Sequence, residues 1–153
     1  MNLIIHHENY VLSGDTVYLN KIISNINDSD CILIYFGNKS VIEYIKNNIF
    51  NKNIKLHLFN PYTYTSLTHY IYSYPIYLKL LIKVFLKILN PLLNALLTYR
   101  VKILLKNIHE KSYGKLIVNS GGILGTETSR ALLRICSINK TYILHNHVTD
   151  NLI

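Results

Sequence analysis

Negative charge is scarce in this chain. Only eight of its 153 residues are acidic, and charged residues of both signs reach just 16%. In a chain that is half hydrophobic, so few charges exclude a disordered polymer and point to an apolar or membrane-associated surface. Cysteine is limited to Cys31 and Cys136, both inside apolar runs and without C-x-x-C spacing, so two buried free thiols in a reducing compartment are expected. Tryptophan is absent beside thirteen tyrosines, a bias shared with the abundant Ile, Asn and Lys that reads as genome composition rather than function. The six glycines form neither G-x-G-x-x-G nor G-x-x-x-x-G-K-[ST], which weakens dinucleotide and P-loop readings. H-E-x-x-H is missing too, and no metal is expected. The start, MNLIIHHENY, lacks a basic segment followed by a long apolar one, so no signal peptide is expected. The longest charge-free apolar stretch, residues 88–99, holds Pro91 and two asparagines and is too short to span a bilayer.

The positive charge that is present is concentrated. Residues 1–78 balance five lysines against five acids, whereas residues 79–115 carry eight bases against Glu110 alone. One segment is therefore built to meet a surface or partner.

The remaining grammar is that of alternating strands and helices in one domain, residues 1–153. Residues 2–6 read as a buried strand, and 7–14 as a loop. Asp15 is placed to cap a helix running to residue 26. Residues 31–36 and 54–59 read as two more strands, separated by a helix over 40–50. The tyrosine-rich, uncharged residues 61–75 read as a loop. Residues 76–108 are helical, with Asn90-Pro91 dividing them in two. Lys79, Lys83 and Lys87 recur every fourth residue on the first half, as do Asn94, Thr98, Lys102 and Lys106 on the second. Residues 115–146, KLIVNSGGILGTETSRALLRICSINKTYILHN, give an apolar run that stops at Asn119, a glycine loop, a helix from about Thr126 and a further strand ending in His145-Asn146. The fold class is α/β, a Rossmann-like parallel sheet of about five strands with flanking helices.

In such sheets ligands bind beyond the carboxyl ends of the strands. Gly121-Gly122 lets a backbone approach a phosphate, a carboxylate or sugar hydroxyls, or is simply a tight turn. His145, with His147 nearby, stands at that edge for proton transfer or hydrogen bonding, or is a plain loop histidine. His6, His7 and Ser13-Gly14 belong to the same edge. The helical segment carries either a solvated lysine stripe or an in-plane membrane helix, with Lys79, Lys83, Lys87 and Lys102 toward anionic headgroups. Nucleic acid is not the expected partner, because no recognised binding motif accompanies the bases.

The run Asn119-Ser120-Gly121-Gly122-Ile123-Leu124-Gly125, then Thr128-Ser129-Arg130-Ala131 and a strand closing in His145-Asn146, resembles the amino-terminal, acceptor-side domain of GT-B-fold glycosyltransferases, in particular family 4. Some members carry Asn-Gly-Gly-Tyr-Pro-Gly, a helix bearing an Arg, and a strand ending His-Asn. Ser13-Gly14-Asp15-Thr16 is similar to the glycine loop after that family's first strand, with Ser-Gly for a Gly pair and Ile123-Leu124 for Tyr-Pro.

The resemblance implies half of a GT-B fold that transfers sugar from a nucleotide-sugar donor to a lipid-linked or polysaccharide acceptor. His145 would orient or polarise the acceptor hydroxyl. Ser13, Gly14, Asn119, Gly121, Gly122 and Asn146 would contact donor or acceptor. The nucleotide sugar is a substrate, and no separate cofactor is implied. A second domain or partner chain would hold most of the donor, so the isolated chain, as a truncated or split product, is expected to be inactive. The implied location is the cytoplasm, peripheral on the inner membrane face. The alternative is a non-enzymatic α/β module that binds a membrane or protein through residues 76–108.

Overall fold

The computed structural model describes residues 2–10, 13–26, 30–49, 54–121 and 126–145, with 120, 121 and 142–145 described by backbone alone. Five strands, β1 (Leu3–Asn9), β2 (Cys31–Gly37), β3 (Ile54–Leu58), β4 (Lys115–Gly121) and β5 (Asn139–His145), form one parallel sheet in the order β3-β2-β1-β4-β5. This is a Rossmann-like α/β fold. The order reverses between β1 and β4, and in sheets of this kind ligands bind at the carboxyl edge beside such a reversal.

Every residue of β2 is buried, as an unbroken apolar run covered on both faces requires. The helices divide between the faces. Leu19 and Ile23 of α1 (Gly14–Ser24) and Val41 and Ile45 of α2 (Lys39–Asn48) pack with Ile5, Leu33 and Tyr35. On the other face Leu97, Val101, Leu104 and Leu105 of α4 (Ile76–Asn107) and Leu132 of α5 (Glu127–Ile135) pack with Ile4, Ile34, Leu116 and Val118. Cys31 and Cys136 are buried free thiols in these two cores, and burial pushes both upward, to about 12 and about 11.

Several boundaries differ from the sequence expectation. β1 runs on to Asn9 and β4 to Gly121, because their polar residues are paired inside the fold rather than solvated in loops. α1 starts at Gly14 with Ser13 as its N-cap, so Asp15 lies inside the first turn. Residues 61–75 are not all loop: α3 (Tyr64–Tyr70) is nucleated by a reciprocal capping box between Thr63 and Ser66.

Most consequentially, Asn90-Pro91 does not divide the long segment. α4 is one helix of 32 residues, about 48 Å long at 1.5 Å per residue. Proline forfeits one hydrogen bond, but long runs of strong helix formers on both sides carry the helix through it. It stops where His109 turns left-handed at φ 52°. The expectation that this segment is too short to span a bilayer is corrected with it. By length and composition α4 suffices to cross a membrane, and 6% of its most apolar window is buried in the protein.

Candidate functional site

The carboxyl edge at β1 and β4 is underlain by two polar clusters, one on each face of the sheet. They arise because successive strand residues point to opposite faces, so His6 and Glu8 go one way and His7 the other.

Toward α5, Glu8 accepts hydrogen bonds from the Tyr10 hydroxyl at 2.6 Å and from the Thr126 hydroxyl at 2.8 Å. Thr126 also caps α5, accepting from the Ser129 amide at 3.2 Å. The Ser129 hydroxyl lies 2.9 Å from Thr126 Oγ1 and 3.3 Å from His6 Nδ1. His6 Nε2 is 3.8 Å from Glu8 Oε2, which closes the ring. Burial, with the nearby His7 adding to it, lowers His6 to about 3, so the ring is neutral and the contact is no ion pair. Burial pushes the Glu8 carboxyl above its ordinary range, against the pull of the Tyr10 and Thr126 hydrogen bonds. Tyr10 is raised as well, by burial first and by Glu8 next, and its ring stacks on His69 of α3 at 4.3 Å. Glu127 extends the system by accepting from both the Thr65 amide and hydroxyl.

Toward α1, His7 Nδ1 lies 3.1 Å from the Asn119 carbonyl oxygen and 3.2 Å from Asn119 Nδ2. The Asn119 amide donates to the Asp15 carbonyl at 3.1 Å, and His7 Nε2 meets Thr16 Oγ1 at 3.2 Å. Asn9 Nδ2 donates to Ser13 Oγ at 2.7 Å, tying the end of β1 to the start of α1.

The residues singled out in the sequence fall as follows. Asn119 lies two residues short of the Gly121–His145 backbone pair, so Asn119 and His145 share one end of the sheet, about 7 Å apart along the strands. Asn119 is fully buried, in a bracing position beneath the edge. Gly14 is exposed, and a Cβ built on it meets nothing within 4 Å, so packing does not demand glycine there. Gly122 and Asn146 lie outside the described residues, as does His147. Lys83, Lys87 and Lys102 are exposed, and Lys79 sits 4.9 Å from the centre of the Tyr72 ring. The ring that Glu8, Thr126 and Ser129 close with His6, and the Tyr10 hydroxyl that donates into it, escaped the sequence reading. Its one visible clue was an acid placed in phase with the inward-facing Ile4 and His6.

Among the described residues no three His, Cys, Asp or Glu side chains converge to hold a metal. Among the described residues a concavity of about 430 Å³ lies not at this edge but beside the end of α4, where Lys102, Lys106, His109 and Lys111 line it. A smaller groove of about 220 Å³ runs between α4 and α5. The chemistry and that hollow thus lie apart, and the carboxyl edge is the better candidate because the buried polar groups converge there. Compared with known proteins, the chain matches no family model, no curated protein and no solved structure.

Proposed function

We propose that this chain is the acceptor-side domain of a GT-B-type glycosyltransferase working at a membrane surface. It would transfer sugar from a nucleotide-sugar donor to a lipid-linked or polysaccharide acceptor together with a donor-binding domain. The observation that carries the reading is the placement of α4. It runs from the carboxyl edge, where β3 ends, down to the start of β4, and its core contacts come from its last third. Residues 76–89, about 20 Å of helix, lead into that contact from the side of the Ser13-Gly14 and Gly121–His145 loops. Tyr77, Leu81, Val84, Phe85 and Ile88 are exposed there at 58–74%. An apolar helix at the reactive edge supports an acceptor that arrives in a bilayer. An in-plane pose is favoured over a spanning one, because the most apolar stretch that could span still holds Lys83 and Lys87, and a lysine near the bilayer centre costs roughly 2.5–3.5 kcal/mol.

In the reaction the acceptor oxygen attacks the anomeric carbon as the bond to the nucleotide diphosphate breaks, and the hydroxyl proton must leave. His145 is the residue proposed to orient that hydroxyl, beside Gly121. The test is a transfer assay with nucleotide sugars and a lipid acceptor, run with and without a donor-binding domain. No turnover is expected from the 153 residues alone and turnover from the pair; robust transfer by these residues alone rejects the half-site reading. The complete burial of His6, His7 and Glu8 favours a second reading, a non-enzymatic module that docks through α4. Vesicle binding with no transfer under any pairing would establish that one instead.

A further inference from the structure

On the β3 side of α4 the guanidinium of Arg100 is held by aromatic rings rather than by an acid. It lies 5.2 Å from the centre of the Phe59 ring and 4.8 Å from that of Tyr62. Tyr62 reaches it from a left-handed backbone, φ 47°, and its amide donates to Asn60 Oδ1 at 3.4 Å. Among the described residues Arg100 forms no ion pair, and its Nη1 is buried without an acceptor. The rings thus orient the fork while leaving its charge uncompensated. Arg100 lines a cleft of about 240 Å³ between β3 and α4, together with His57, Ile103 and Asn107. His57 and Asn107 are exposed and also line an adjoining hollow of about 380 Å³, to which Lys55 and His109 contribute. Neither hollow has an acid in its wall. Arg100 stands nearly two turns before the end of α4, clear of the terminal carbonyls that disfavour anions. An oriented guanidinium, an amide and an imidazole around an acid-free cleft match a phosphate group. We infer that the β3–α4 cleft is a phosphate site with Arg100 as its anchor. The site goes beyond the transferase reading and stands without it. One wall indicates how the ligand continues past its phosphate. Ile103 ends a stripe of exposed apolar residues that runs back through Tyr99, Leu96, Leu92, Ile88 and Phe85 at steps of three or four, so the cleft borders that stripe. A phosphate carrying acyl or prenyl chains is therefore held better than the same phosphate without them.

The experiment follows the Nε–Hε signals of the three arginines by nitrogen-15 NMR at constant ionic strength. The probes are glycerol 3-phosphate and dihexanoyl phosphatidic acid, which share a phosphate monoester, with dihexanoyl phosphatidylcholine as the control for the chains. All are kept below the concentration at which they form micelles. Both monoesters should shift the Arg100 signal saturably, and the phosphatidic acid should bind about tenfold more tightly through its chains. N107D, at an exposed position, leaves Arg100 in place and puts an acid in the cleft, so both affinities should fall by about tenfold or more. R100K keeps the charge without the fork, and binding followed on the Asn107 amide should fall by about tenfold. Circular dichroism verifies both folds, and N107D carries the test if R100K unfolds. Equal affinity for the two monoesters upholds the phosphate site and assigns it to a soluble ligand. No saturable shift of Arg100 with either monoester, a shift equally large with phosphatidylcholine, or N107D binding as tightly as wild type overturns the site. Sugar transfer is decided separately by the assay with a donor-binding domain.

Discussion

The side chain of Asn119 donates to the backbone carbonyl of Asp15 at 3.1 Å, joining two residues 104 positions apart in the chain. One buried amide thereby fixes the start of α1 against β4, at the place where the strand order reverses. Replacing Asn119 by Leu, close in size and without donors, should cost about 2–4 kcal/mol, since the Asp15 carbonyl and the His7 imidazole both lose a buried partner. Urea unfolding measures it. A midpoint unchanged from wild type would mean that the contact does not brace the edge.

The His6–Glu8 ring makes stability depend on pH in two opposing ways. Folded His6 titrates at about 3, below the ordinary value of 6.5, so the unfolded chain takes up a proton first on acidification. The stability that neutral His6 contributes is complete above 6.5 and lost as pH falls toward 3, to a maximum of about 5 kcal/mol. H6Q keeps a hydrogen-bonding group toward Ser129 but cannot titrate, and its unfolding free energy should vary less over that window. Folded Glu8 is shifted the other way, above 4.5, so its contribution is complete below 4.5 and is lost as pH rises through the folded value. The difference between E8Q and wild type should therefore move in favour of E8Q as pH rises. Parallel pH profiles for wild type and both variants would contradict the burial argument.

Two glycines should respond oppositely to alanine. At Gly37 an added Cβ would lie 2.3 Å from the Asn9 carbonyl oxygen and 2.7 Å from Val41 Cγ1, where β1 and β2 end side by side. G37A should cost about 1–3 kcal/mol, the usual penalty for overpacking. At Gly14 the space is open, and alanine in the first turn of α1 should be neutral or stabilising by up to about 1 kcal/mol. If a donor or acceptor backs onto this turn, G14A should lose turnover in the complete enzyme without losing stability. Unchanged turnover would remove Gly14 from the binding loop.

The alternation of strands and helices was legible because parallel strands buried on both faces leave continuous apolar runs such as Cys31–Gly37. The ends of β1 and β4 were not. His7, Glu8 and Asn119 look like loop residues until their partners Thr16, Thr126 and Asp15 fold against them. α3 was hidden for a related reason, because Tyr, Thr and His favour helix weakly and the capping box used Ser66 in place of Glu or Gln. At Pro91 a local rule lost to the sum of its neighbours, and that one misreading also concealed the length of α4. Candidate residues at the edge were legible as a group, since Ser13, Gly14, Asn119, Gly121 and His145 all map to one end of the sheet. Their separate roles were not, because burial distinguishes a brace such as Asn119 from an exposed turn such as Gly14.

The exposed surface of α4 makes the most direct claim on function. Tyr77, Leu81, Val84, Phe85, Ile88 and Leu92 recur at helical spacing, and each is more than half exposed. Partial immersion of each in a bilayer contributes about 1 kcal/mol, and nearby lysines add about 1 kcal/mol each on an anionic surface. Two variants separate these terms. K79Q/K83Q/K87Q should weaken binding to anionic vesicles by a few kcal/mol, abolish most of its salt dependence and leave neutral vesicles unaffected. The loss should fall slightly short of three full lysines, because Lys79 already lies over the Tyr72 ring. L81S/F85S/I88S should weaken binding to neutral and anionic vesicles alike while leaving the fold intact, since these side chains lie outside both cores. Sedimentation velocity without lipid supplies the control. If the wild-type chain forms a dimer that the serine variant abolishes, and neither binds vesicles, then the stripe is a protein interface and the membrane assignment fails.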